Sequence, residues 1–144
     1  MAKQTPAEIL ALRMRAGAAG LDGLDFLAAY TDGQLAEAYN GIGPDFLPAD
    51  VRKKLSLYLD LFAPAALIHD LRYTVSDGTR SGFNFANFEF RGNCYLLAEK
   101  RYGVLNWRRY RAYFVAETLF AAVASQAGWI AWTEAHRRRS STNH

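Results

Sequence analysis

Cysteine is nearly missing from this chain: Cys94 is the one cysteine in 144 residues. No internal disulfide can close, so the fold must stand on its apolar core, and the place of Cys94 in an apolar series reads as a packed thiol rather than a reactive one. Charge of one sign is also lacking. Seventeen basic against 14 acidic side chains leave a net charge of only +3, which does not argue for a nucleic-acid partner, and no glycine-rich phosphate loop follows a strand pattern. Repeats and low-complexity tracts are absent, and strand signals are weak. His136 and His144 have no metal-ligand spacing, so zinc chemistry is not expected. The N-terminus lacks the basic start and long apolar run of a secretory signal. With the lone cysteine, this favours a cytoplasmic location or assembly into a particle inside a cell. What remains is a chain that is 51% hydrophobic, enough for one small domain with an adequate core.

The periodicity is helical almost throughout, and the fold class is all-α. Thr5, Pro6 and Glu8 supply a cap, a first-turn proline and an acid at the third position, predicting a helix that ends between Gly17 and Gly23. That glycine-containing stretch reads as a hinge. A short helix is expected from Phe26, and another capped by Thr31 or Asp32 and running through Tyr39. Pro48 would open a helix to about Phe62, with Pro64 as the first residue of the next. Residues 76–82 read as a loop, with room for a small β-hairpin. After Gly103, Asn106 would cap a long helix from Trp107 to His136, broken at Gly128.

The chemistry sits in the middle of the chain. In the run from Ala65 to Tyr73, helical spacing puts Phe62, Ala66, His69 and Tyr73 on one stripe and turns Asp70 about 100° away. From Phe83 to Arg101 a second helix carries the stripe Phe83, Asn87, Phe90, Cys94 and Leu97. Asn87 interrupts its own apolar face, and a buried amide without partners costs about 1–3 kcal/mol, so it calls for a specific mate. His69 is the candidate: in an antiparallel pair, the Asn87 oxygen would accept from one ring nitrogen, fixing the tautomer and leaving the other as a base. The same pair without chemistry, a satisfied core His–Asn contact, fits these two positions as well. Upstream, Tyr39-Asn40-Gly41-Ile42-Gly43-Pro44 has two glycines that let backbone carbonyls turn toward one centre, as a hard cation such as calcium prefers. An ordinary turn has the same composition.

Taken in order, these segments resemble the phospholipase A2 superfamily, most closely the compact disulfide-free type carried in parvovirus capsid proteins. The matching residues are Tyr39, Gly41 and Gly43, then Ala66, His69, Asp70 and Tyr73, then Asn87 followed by Phe90. The resemblance implies that His69 activates a water, that Tyr73 braces the histidine's partner, and that Ca2+ is held by Asp70 with the loop at Tyr39, Gly41 and Gly43. The implied substrate is the sn-2 ester of a glycerophospholipid, and the implied partner a phospholipid membrane surface. Two departures stand out. Asn87 replaces the family's aspartate, and in the serine-protease triad the comparable change costs about 10⁴ in turnover. The link from Phe46 to Ala63 is also longer than the family's.

On this reading residues 1–20 form an N-terminal helical arm, 21–136 the phospholipase A2-like helical domain and 137–144 a basic tail. The largely apolar stretch from Ala112 to Trp132, flanked by Arg108, Arg109, Arg111 and Arg137–Arg139, reads as a core helix, an interfacial or partner-docking helix, or a membrane span; Glu117 within it weighs against the last. Two functions follow: a calcium-dependent lipid esterase, or a non-enzymatic module of the same fold in a viral or phage particle. A homo-oligomer fits either.

Overall fold

Helix starts in this chain are set by short side chains that accept from the otherwise unpaired first-turn amides. Thr5 accepts from Glu8 N, Thr31 from Gln34 N, Thr79 from Gly82 N and Asn106 from Arg108 N. The first two are complete capping boxes, each closed by a side chain reaching back to the cap backbone. The structure is a computed structural model and describes residues 4–39 and 49–142. In it these caps open α1 (Pro6–Ala19), α3 (Asp32–Ala38), α6 (Arg80–Arg101) and α7 (Trp107–Val123). The others are α2 (Leu24–Ala28), α4 (Ala49–Ser56), α5 (Leu59–Thr74) and α8 (Gln126–Thr142). Among the described residues there is no strand, so the all-α class stands and residues 76–82 form no hairpin.

The centre is the pair α5 and α6. Nearly every side of α5 is apolar and small, with Phe62, Ala63, Ala65, Ala66, Leu67, Ile68 and Leu71 all buried, which lets neighbours close on it from several directions. α6 packs along α5 and, on its other side, along α7; α1, α3 and α8 also lie against α5. Residues 1–20, read from the sequence as an arm, contain a docked helix: Ile9, Leu12 and Ala16 belong to the same core as α5 and α6.

One proline and one glycine stand differently from the sequence expectation. The helix expected from Pro48 to Phe62 divides into α4 and the start of α5, and Pro64 lies inside α5 rather than at its head. A proline there has no N–H for the carbonyl four residues back. That carbonyl, Asp60 O, instead accepts from the Arg15 guanidinium at 2.6 Å, so α1 supplies the missing donor. The long C-terminal helix breaks at Ala124 and Ser125, upstream of Gly128, with a bend of 59°. Gly128 has another task. A Cβ at this position would lie 1.8 Å from Val123 O, so only glycine lets the first turn of α8 press against the end of α7. We expect Gly128→Ala to destabilise the fold by about 1–3 kcal/mol or more, measured as a lower urea midpoint, with Ala127→Gly as a variant that does not crowd Val123.

Candidate functional site

The α5–α6 pairing brings together residues that are 18 apart in sequence. His69 Nε2 lies 2.9 Å from Asn87 Oδ1. The Tyr73 hydroxyl donates to the same oxygen at 3.1 Å. The other end of the amide faces Val123 O, with Nδ2 donating at 3.4 Å. Two carbonyl oxygens would repel, so this contact fixes the amide with its nitrogen toward Val123 and its oxygen toward His69. An amide oxygen only accepts, hence Nε2 carries the ring proton and Nδ1 keeps its lone pair. Nδ1 has no hydrogen-bond partner among the described residues, and no fully buried side-chain nitrogen or oxygen there lacks one. Nδ1 is therefore the ring nitrogen left without a bond to the described residues.

Burial sets the electrostatics. His69 is 6% exposed and its ring lies between Tyr73, at 4.6 Å, and Phe90, at 4.7 Å. This loss of solvent lowers its pKa to about 4, against a smaller upward push from Asn87. The histidine is neutral at neutral pH. Burial likewise raises the Tyr73 phenol, more than the Asn87 bond lowers it, so Tyr73 stays a donor.

Asp70, the next residue along α5, is buried too, at 8% exposure. It faces the end of α3: the Tyr39 phenol is pushed up to about 12, first by burial and then by the Asp70 carboxylate. Tyr39 is the C-cap of α3 and the last residue before the glycine segment. Gly41 and Gly43 lie outside the described residues. Among the described residues no three His, Cys, Asp or Glu side chains form a metal-binding group. A buried carboxylate suits a hard cation.

Four residues escape a reading by side-chain pattern. Val123 O is a backbone group, one of the last-turn carbonyls a helix cannot pair internally, and it also lies 3.5 Å from the Tyr73 hydroxyl. Arg72 and Glu89, next to the site residues in sequence, form a two-bond ion pair at 3.0 and 2.9 Å that ties α5 to α6. Their spacing from His69 and Asn87 is the one signal that would have indicated it. Asn93, fully buried, receives Asp22 N at 2.8 Å and donates to Asp22 O at 3.0 Å, holding the turn before α2 on α6.

Comparison with protein-family models, curated proteins and solved structures finds no match.

Two outcomes follow from the geometry. Asn87→Ala strands the Nε2–H and the Tyr73 hydroxyl, which should cost about 1–3 kcal/mol, measurable by urea denaturation. The second is a pH dependence. Between about pH 6.5 and pH 4 the unfolded chain protonates this ring and the folded chain does not, so this contribution is intact above the first value and is lost as pH falls toward the second. The loss is on the order of 3 kcal/mol. It should appear as a falling unfolding free energy across that window, and His69→Gln should flatten it.

Proposed function

We propose that this chain is a phospholipase A2-like, calcium-dependent hydrolase of the sn-2 ester of glycerophospholipids. The observation that carries the reading is the set of bonds at Asn87, which orients a buried, neutral imidazole through Nε2 and leaves Nδ1 to act. In the reaction, Nδ1 takes a proton from a water whose oxygen attacks the ester carbonyl carbon. The imidazolium returns that proton to the departing alkoxide, releasing a fatty acid and a lysophospholipid. Tyr73 holds the Asn87 oxygen in place. Asp70, with the carbonyls of Gly41 and Gly43 beside Tyr39, would hold Ca2+, whose chemistry is to polarise the ester carbonyl and stabilise the oxyanion.

A second reading is a non-enzymatic module of this fold, a structural or membrane-docking component of a viral or phage particle. One observation favours it. Asn87 brings no charge to offset an imidazolium, and burial already opposes that ion.

The test is fatty-acid release from mixed phospholipid vesicles with and without calcium. On the hydrolase reading release requires calcium, and His69→Ala lowers it by about 10²–10⁴. The acid limb of kcat/KM lies near pH 4, where His69 titrates, and Asn87→Asp raises both the rate and the position of that limb because a carboxylate favours the protonated ring. Release from Asn87→Asp alone supports the second reading. Release from neither, or release unaffected by His69→Ala, contradicts the hydrolase.

A further inference from the structure

The outward face of α7 is built as if it were an inner one. Its core side is used: Ala112, Val115, Ala116, Leu119 and Val123 are buried. A helix in that position ordinarily turns polar residues to water. Here the opposite face carries Trp107, Tyr110 and Phe114, exposed to 62%, 51% and 70%. The turn leading into it adds Val104 at 63% and Leu105 at 95%. The corner is held in shape, with the Tyr110 hydroxyl donating to Val104 O at 2.6 Å. A contiguous exposed patch of large apolar groups on an ordered corner marks an interaction surface.

The surrounding charge selects the partner. Lys100 and Arg101 at the end of α6 and Arg108 and Arg111 in the first turns of α7 are exposed, with the Arg108 guanidinium 5.0 Å from the Trp107 ring centre, and none of them forms an ion pair among the described residues. The nearby acid, Glu99, is engaged by the Tyr113 hydroxyl at 3.1 Å and by Arg109 at 3.9 Å. Tryptophan, tyrosine and leucine with arginine at their margins are the groups that settle at the headgroup level of a bilayer, rings and aliphatic tips inward and guanidinium groups on anionic phosphates. A span is a poorer fit. No single helix among the described residues is long and apolar enough to cross a membrane; α7 and α8 pass such a test only as a bent pair, and inserting them would strip the core side of α7 from α6.

We infer that the α6–α7 corner, Val104 to Phe114, is a peripheral docking surface for anionic bilayers. It lies near the opposite end of α7 from Val123 and the His69–Asn87 pair, roughly 20 Å along the helix axis. The surface therefore stands independently of the hydrolase reading, and the two can fail separately.

The experiment is flotation of the full chain with phosphatidylcholine vesicles and with vesicles that also contain phosphatidylglycerol. The parent should float with the anionic vesicles, more weakly with the neutral ones, and less as salt is raised. Leu105→Asp should weaken partitioning by roughly tenfold, and Arg108→Glu with Arg111→Glu by more than tenfold. Both variants change exposed side chains, so unchanged circular dichroism and melting establish that the fold is kept. His69→Gln should float as the parent does. The inference is overturned if the parent stays with the unbound fraction on both vesicle types, or if the variants bind as the parent does. It is also overturned if sedimentation shows a parent oligomer that Leu105→Asp dissociates, which would assign the face to a second copy.

Discussion

The Asn87 carboxamide carries more of this structure than its size suggests, because its two ends meet three elements at once. Its oxygen joins α6 to His69 and Tyr73 on α5, and its nitrogen reaches the last carbonyl of α7. A buried amide must find partners at both ends, so α5, α6 and α7 are fixed in mutual register by hydrogen bonds as well as by packing. The same requirement explains Gly128. The Val123 carbonyl can stay where the amide needs it only if α8 brings no side chain against it. A third constraint comes from α1, whose Arg15 serves the carbonyl that Pro64 leaves unpaired, and α5 continues through the proline to His69.

Much of this is legible in the sequence, and what is not has physical reasons. Caps at Thr5, Thr31 and Asn106 and the stripes through His69 and Asn87 are local, and the structure has them. The His69–Asn87 contact follows from a polar residue on an apolar face, which has few ways to be satisfied. Other features depend on a distant chain segment. Pro64 reads as a helix start because nothing nearby supplies its missing donor, whereas Arg15 does so from 45 residues away. Gly128 reads as a break, whereas the break falls at Ala124 and Ser125 and the glycine serves a close approach. Val123 O leaves no trace in side-chain pattern at all. Gly41 and Gly43 lie outside the described residues, and Tyr39 and Asp70 mark where that segment begins.

Chemically, the site combines good orientation with weak electrostatic support. Tyr73 and Val123 hold the amide, the amide holds the ring, and the aromatic walls keep the ring neutral. A carboxylate at position 87 would meet the Val123 carbonyl with an oxygen, a repulsive contact that the amide avoids. The neutral partner thus suits this particular helix end, at the expense of charge stabilisation for an imidazolium. The apolar face of α7 belongs to a different part of the molecule and follows from a different imbalance, large side chains left in water beside cations that form no ion pair among the described residues.

Nitrogen NMR of His69 reads the protonation pattern of this ring directly. With 15N-labelled protein near neutral pH, the bonds at Asn87 require a neutral imidazole with a protonated Nε2 and a bare Nδ1, collapsing to a mixed tautomer in Asn87→Ala. A proton on Nδ1 in the parent, or a ring already cationic near neutral pH, would contradict it.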